Sequence, residues 1–332
     1  MSSSSQPLLR IGILGAARIA RKFTDGVRGS DKVIVAAVAS RDRNRAEEFA
    51  QSLGIPTVFD SYDAMLDSSA VDAIYNPLPN ALHGPWSIRA MDAGKHVLCE
   101  KPLADTRVEA VAMFAAAVRN GVRLAEAYPY RSQPQTLKLQ ELVAAGAIGT
   151  LQMISATFAF TLTARGDIRL DPALAGGALM DLGSYPVSLI RMLSGASPLA
   201  MQVLGAMDPS GVDHAAMATM SFASGLLAQA SCSFGAAVHR QALIAGTDGV
   251  IETSYANHTS DDMPPILLLR RGRERSGVVE TVRVAAMNGF RAEADAFADF
   301  VSGQPWNGIP ERESIDVAEM LETLRAMVAA RG

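Results

Sequence analysis

Lysine, aspartate and tyrosine are the side chains of this sequence whose neighbours give them chemistry to do. Lys101 is held in Glu100-Lys101-Pro102, directly after the apolar run Val97-Leu98-Cys99. That run fits a short buried strand, and proline ends it because it has no backbone donor for a central ladder. A charged residue therefore sits at the carboxyl end of a strand, where open α/β sheets bind their ligands. Further along, Gly176-Gly177 precede an apolar helical stretch containing Asp181 and Tyr185. Four residues apart on a helix means one face. An acid and a phenol together on an otherwise apolar face are equipped for proton transfer. The structural alternative has Tyr185 capping an interface and Asp181 paired with an arginine.

The elements that must position Lys101 begin at Leu8. LLRIGILGAARIARKF reads as a strand that breaks at Gly15 and enters a helix through Ile19, Ala20 and Phe23. In the G-x-G-x-x-G dinucleotide fingerprint the three positions fall on Gly15, Ala17 and Ala20, so alanine replaces the second and third glycines. Gly15, Ala16, Ala17, Arg18 and Ile19 line this turn, and the helix start offers backbone donors to a pyrophosphate. A second strand, Val33 to Ala39, ends in Ser40-Arg41-Asp42. An NAD site places an acid there for the ribose hydroxyls; a serine and a guanidinium suit a 2′-phosphate, which favours NADP, with Arg45 close behind. Asp42 stands one residue late, and a slip of register would restore NAD.

Helix Asn44 to Leu53, strand Thr57-Val58-Phe59, helix Tyr62 to Leu66 and strand Val71 to Asn76 follow. The last strand runs into Pro77-Leu78-Pro79-Asn80-Ala81-Leu82-His83. Two prolines stiffen that loop, so Asn76, Pro77, Asn80 and His83 are expected beside the cofactor's ribose and nicotinamide. Helix Trp86 to Ala93, the Glu100-Lys101 strand, helix Val108 to Asn120 and Arg123 to Ala127 complete the pattern. Strands alternating with helices of this length predict a doubly wound parallel sheet.

Beyond Tyr128-Pro129-Tyr130-Arg131, a helix from Gln135 to Ala145 ends at Gly146. Strand-like stretches then dominate: Leu151 to Leu162, Met201 to Ala206, Ala215 to Phe222, Leu226 to Phe234, Arg240 to Ala245 and Ile266 to Arg271. Turns such as Ala223-Ser224-Gly225 and Thr247-Asp248-Gly249 argue for hairpins and a mainly antiparallel sheet. Phe290 to Val301 and Ser314 to Ala330 read as amphipathic helices packing back on the core. Arg270-Arg271-Gly272-Arg273-Glu274-Arg275 lacks aromatic interleaving and reads as a solvated turn.

At 332 residues the chain has room for two domains. The expected division is a tail at 1–7, a dinucleotide domain at 8–126 and a substrate and oligomerisation domain at 127–332. Apolar residues make up 49% and charged ones 19%, as in an ordinary globular protein. A net charge of -4 and a pI near 5.8 provide no basic field, so neither nucleic acid nor a membrane surface is an expected partner. Two cysteines and no apolar leader point to a reducing, cytoplasmic location. Five scattered histidines have no ligand spacing, and no metal is expected.

GILGAARIA, the NPLPNALH loop and CEKPLA together resemble the glucose-fructose oxidoreductase, inositol dehydrogenase and MocA family of NAD(P)-dependent oxidoreductases. The resemblance spans the chain after the tail. It implies a Rossmann-type doubly wound parallel sheet followed by an α+β domain with a large, open, mainly antiparallel sheet. It also implies a homodimer or homotetramer formed through that sheet. In the family the lysine of Glu-Lys-Pro lies beside the nicotinamide, matching Lys101. The Gly-Gly, Asp, then His or Tyr motif matches Asp181 and Tyr185, and the tyrosine form is similar to the dihydrodiol and NADP-linked aldose dehydrogenase branch.

The implied reaction is hydride transfer to or from a secondary or hemiacetal alcohol of a small sugar, polyol or cyclic diol. Tyr185 would act as general acid or base. Because a free phenol has a pKa of about 10, a cation must stabilise its phenolate, and Lys101 is the expected one. Asp181 would hold a substrate hydroxyl or orient Lys101, and Glu100, Arg131, Arg165 and Arg169 are further candidates for cofactor or pocket contacts. A non-catalytic NADP-binding regulator, or an aldose-aldose enzyme that recycles tightly held cofactor, are the alternatives.

Overall fold

The computed structural model describes residues 7–259, 264–274 and 277–330; the serine run and Arg275 lie outside the described residues. The chain forms two compact units. The first comprises residues up to 104, 108–132 and 288–311, and the second comprises 105–107, 133–287 and the chain from 312 onward.

The first unit is built on β1 (Leu9–Leu14), β2 (Val33–Ala39), β3 (Thr57–Phe59), β4 (Ala73–Asn76), β5 (His96–Glu100) and β6 (Leu124–Ala127). Their order in the sheet is β3-β2-β1-β4-β5-β6, and the pairs are parallel. This is the doubly wound arrangement, with the strand order reversing between β1 and β4, where such sheets open a ligand crevice. Ile11, Ile13, Leu14, Ala73, Ile74, Val97 and Leu98 are all buried, because helices cover both faces of a parallel sheet. Those helices are α1 (Arg18–Val27), α2 (Arg43–Leu53), α3 (Tyr62–Leu66), α4 (His83–Asp92) and α5 (Arg107–Asn120). Asp42 starts α2 by accepting the Arg45 N–H at 3.1 Å, and Gly54, at φ +72, ends it in the left-handed conformation.

A late piece of sequence joins this unit. The segment 288–311, expected with the substrate domain, clusters here and carries helix α8 (Gly289–Val301). The reason is aromatic packing. Phe290 meets Phe23 of α1 edge-on at 6.2 Å, and Phe23 stacks on Tyr75 of β4 at 3.9 Å. Burying Phe290 and Phe297 contributes about 1.5–3 kcal/mol each, more than the bare continuity of the chain can oppose.

The second unit holds an eight-stranded sheet of order β14-β13-β12-β11-β7-β10-β9-β8. Its strands are β7 (Leu151–Ala159), β8 (Ala200–Met207), β9 (Asp213–Ser221), β10 (Leu227–Ser233), β11 (His239–Gly246), β12 (Gly249–Thr253), β13 (Ile266–Arg271) and β14 (Val279–Arg283). Every neighbouring pair is antiparallel except β10 with β7. The expected Leu151 strand leaves the regular ladder at Ala159. β12 and β14 were not foreseen: β12 is only five residues long and begins at the turn glycine, and β14 is almost wholly exposed and carries no clear alternation.

One face of this sheet receives α7 (Ser184–Ser194). The stretch Pro172–Ser194 is apolar and long enough by composition to cross a membrane, and 83% of its most apolar window is buried in the fold. The opposite face leaves Met153, Leu204, Met217, Leu227 and Leu243 exposed. Helices α6 (Pro134–Ala144) and α9 (Glu311–Ala329) complete the unit.

Candidate active site

The cradle of the first unit forms where β1 ends. Gly15 takes φ +86 and donates to the Ala39 carbonyl at 2.7 Å. Leu78 Cδ2 would lie 3.2 Å from a side chain placed at Gly15, so glycine serves both the turn and the close approach. Ala17 enters α1 with no side-chain cap, leaving the first N–H groups of the helix to an outside acceptor. Ala16 and Ile19 are half-buried, Arg18 is exposed, and Arg45 Nη2 donates to the Ala16 carbonyl at 3.0 Å.

At the end of β2, Ser40 is buried and Arg41 exposed. They open onto a cavity of about 320 Å³ that Tyr62, Leu78, Pro79 and Trp86 also line. Tyr62 and Trp86 meet edge to face at 4.7 Å, and the guanidinium of Arg89 lies 4.6 Å over Trp86. Burial pushes the Tyr62 phenol up while Arg41 and Arg45 pull it down; Asp60 and Asp63 also line the cavity, paired with Arg43 and Arg89. Asp42 is occupied as the α2 cap. The aromatic walls were absent from the sequence reading; Trp86 at the start of a helix was the available signal.

The residues of the β4 loop turn inward. Asn76 is fully buried and donates to the His83 carbonyl at 3.2 Å and Ser87 Oγ at 3.0 Å. His83 is 1% exposed. Its Nδ1 lies 2.8 Å from the Pro102 carbonyl and its Nε2 2.8 Å from the Leu78 carbonyl. Burial lowers its pKa to about 4, against the pull of both carbonyls, so the ring is neutral at neutral pH and donates to one of the two. The His83 side chain therefore ties the loop to Pro102, while Asn76 braces the loop against the start of α4. Pro77 is buried and Asn80 half-buried at the start of a short 3₁₀ turn. Glu100 is buried, accepts the Tyr75 hydroxyl at 2.6 Å and, through Oε2, the Lys101 N–H at 3.2 Å. This holds the backbone at Lys101 on the strand end, with Lys101 itself half-buried. Arg131 is 2% exposed.

In the second unit, Gly177 takes φ +115, and the place of its missing side chain is filled by Asp213 Oδ1. Asp213 Oδ2 accepts the Leu179 N–H at 2.6 Å, and burial raises this carboxyl. The contact starts a π-helical turn, Leu179–Gly183, that carries Asp181 and runs straight into α7. Asp181 Oδ2 accepts from Arg169 Nε at 2.6 Å, and Arg169 also pairs with Asp167 at 3.2 Å. Tyr185, 6% exposed, accepts at its hydroxyl from Asn257 Nδ2 at 3.0 Å. Its ring lies edge-on to Phe158 at 5.2 Å and under the Arg240 guanidinium at 4.3 Å. A phenol so placed has a hydrogen-bond donor and a cation to support loss of its proton. Asn257 and Arg240 went unrecognised in the sequence. Arg165 is exposed. Burial pushes the thiols of Cys99 and Cys232 up, so neither is poised as a nucleophile.

Residues 9–128 match the family model described as an oxidoreductase family with an NAD-binding Rossmann fold, and residues 136–252 match the GFO/IDH/MocA C-terminal domain. The chain is 34% identical to D-xylose 1-dehydrogenase (NADP(+)) 2 of Haloferax volcanii over 95% of its own length and 96% of that protein's. It is 35% identical to trans-1,2-dihydrobenzene-1,2-diol dehydrogenase of Danio rerio, over 74% of each. Among solved structures it resembles the 3-ketoreductase KijD10 of Actinomadura kijaniata, in complex with NADP and TDP-benzene. The TM-score is 0.87 at 28% identity, covering 96% of this chain and 98% of that one.

Proposed function

The chain belongs to the GFO/IDH/MocA oxidoreductase family, and from that premise we propose an NADP(H)-dependent enzyme acting on a secondary or hemiacetal alcohol of a small sugar, polyol or cyclic diol. The bound nicotinamide supplies or accepts the hydride. Tyr185 exchanges the hydroxyl proton as general acid or base, Lys101 supports its phenolate and the developing alkoxide, and Asp181 orients a neighbouring hydroxyl.

The observation that carries the reading is the setting of Tyr185: a buried phenol whose oxygen accepts from the neutral amide of Asn257, one turn from a carboxylate. For the cofactor, Ser40 and Arg41 lining the cavity at the end of β2 fit a 2′-phosphate. Gly15 and the uncapped start of α1 fit the pyrophosphate. The names of the relatives, an NADP-dependent xylose dehydrogenase and a dihydrodiol dehydrogenase, agree with an alcohol carbon bearing a neighbouring oxygen. The exposed apolar face of the second sheet fits self-association into a homodimer or homotetramer, and we assign the enzyme to the cytoplasm.

A panel of aldoses, inositols and vicinal diols, each offered with NADP and with NAD and followed by nicotinamide absorbance, tests the function. Reduction of NADP by at least one class is the expected result. No turnover with any of them overturns it in favour of a regulator. Nicotinamide absorbance retained after desalting identifies a recycling enzyme.

A further inference from the structure

A cation is built against Tyr185 from within its own unit. Arg240 is the second residue of β11 and pairs in register with Phe158 of β7. It lies on the same side of the strand as the buried Ala242 and Ile244, a side where alternation calls for an apolar residue. Its guanidinium carbon is 4.3 Å from the ring centre of Tyr185, 4.6 Å from that of Tyr255 and 4.8 Å from that of Phe158. Nε and one Nη are closed off from solvent. The cage is rigid: Tyr255, fully buried at φ +35, donates its hydroxyl to the Thr157 carbonyl at 2.7 Å, and Phe158 lies edge-on to Tyr185.

We propose that Arg240 is a positioning residue for proton transfer, stabilising the phenolate of Tyr185 through the face of its ring while Asn257 holds the oxygen. Deprotonation spreads negative charge into the ring, so the attraction of a cation over its face grows as the proton leaves. With solvent excluded the interaction is poorly screened. In alcohol oxidation the O–H and C–H bonds of the substrate break and its C=O forms. The hydride pair goes to the oxidised nicotinamide and the proton to the Tyr185 oxygen. In reduction both return. Arg240 thereby acts on the same step as Lys101 but through the second unit alone.

β7 and β10, which pack on α7, carry no ionisable side chain apart from the thiol of Cys232. Asp181 is engaged by Arg169, Asp213 by the Leu179 N–H, and Arg191 of α7 by Asp316.

The inference rests on Tyr185 as the proton-transfer group, and its test is read without turnover. The near-ultraviolet phenolate absorbance of the protein is titrated and that of Tyr185→Phe subtracted, which isolates this one phenol. Arg240→Met is expected to move its midpoint up by about one pH unit, a tenfold change, and Arg240→Lys to restore part of the shift. In kinetics the limb of the kcat profile assigned to Tyr185 moves by the same amount, with the Kd for NADPH unchanged. A midpoint unmoved in folded Arg240→Met, checked by circular dichroism and NADPH binding, overturns the proposal. If Tyr185→Phe retains full turnover, the proton-transfer reading falls, and the titration still decides whether Arg240 governs the phenol.

Discussion

In the first unit the groups that shape the cradle come from short stretches at the ends of β1, β2, β4 and β5, and their polar bonds run largely to nearby backbone. Gly15, Ser40, Asn76 and Glu100 each stand at a strand end or just beyond it, and His83 clamps one loop to the next. In the second unit the surroundings of Tyr185 are gathered from afar: Phe158 from β7, Arg240 from β11 and Asn257 from the segment after β12. The first arrangement presents backbone donors and stiff loops suited to a cofactor. The second holds one side chain by other side chains. Lys101 apart, substitutions in the first unit should therefore change cofactor affinity or the stability of that unit, and those around Tyr185 should change rate.

The strongest test of that division is Tyr185→Phe, expected to lower kcat by about 10²–10⁴-fold, the usual worth of a positioned acid or base, with NADPH affinity retained in fluorescence titration. Lost cofactor binding would erase the distinction between the units. Next comes acid stability. The folded-state pKa of His83 is about 4, below the ordinary 6.5, so its contribution is fully present above about 6.5 and is lost as pH falls toward 4, about 3 kcal/mol in all. Both tryptophans, Trp86 and Trp306, belong to the first unit. Denaturation followed by their fluorescence should show this acid slope, and His83→Gln should flatten it by close to one proton.

Arg41→Ala should weaken NADPH by about 1.5–3 kcal/mol, as for a lost charge-assisted bond, and leave NADH nearly untouched in parallel Kd measurements. Equal losses for both cofactors would shift Arg41 from the 2′-phosphate to the adenine. The smallest effect concerns Glu293 of α8, 1% exposed with neither carboxyl oxygen hydrogen-bonded. Burial, then the charge of Glu100, raises its pKa well above the usual range, so it costs stability as pH rises past that range. Glu293→Met should stabilise the first unit by about 1–3 kcal/mol at pH near 8, with the gain shrinking toward acid pH. A gain independent of pH would mean that packing, not charge, is responsible.

The parallel sheet and its loops were legible because each apolar run, turn glycine and proline acts within a few residues of itself; β3, α3 and β13 even carry the expected boundaries. Glu100-Lys101-Pro102 at a strand end and Asp181 with Tyr185 in one helical stretch are facts of spacing, and the sequence determined them alone. It also determined that Asp42 follows Ser40-Arg41, although only the structure made it the cap of α2. What tertiary structure decided is the direction of buried polar side chains. Asn76 and His83 turn inward because fully buried amide and imidazole groups must find partners: Asn76 accepts from the Leu78 N–H and donates to the His83 carbonyl, and His83 meets the Leu78 and Pro102 carbonyls. Arg240 reads in sequence as an ordinary strand residue. The alternation of β11 and the approach of α7 put its charge on Tyr185, and such a meeting, 55 residues apart in the chain, depends on sheet register that no local pattern encodes.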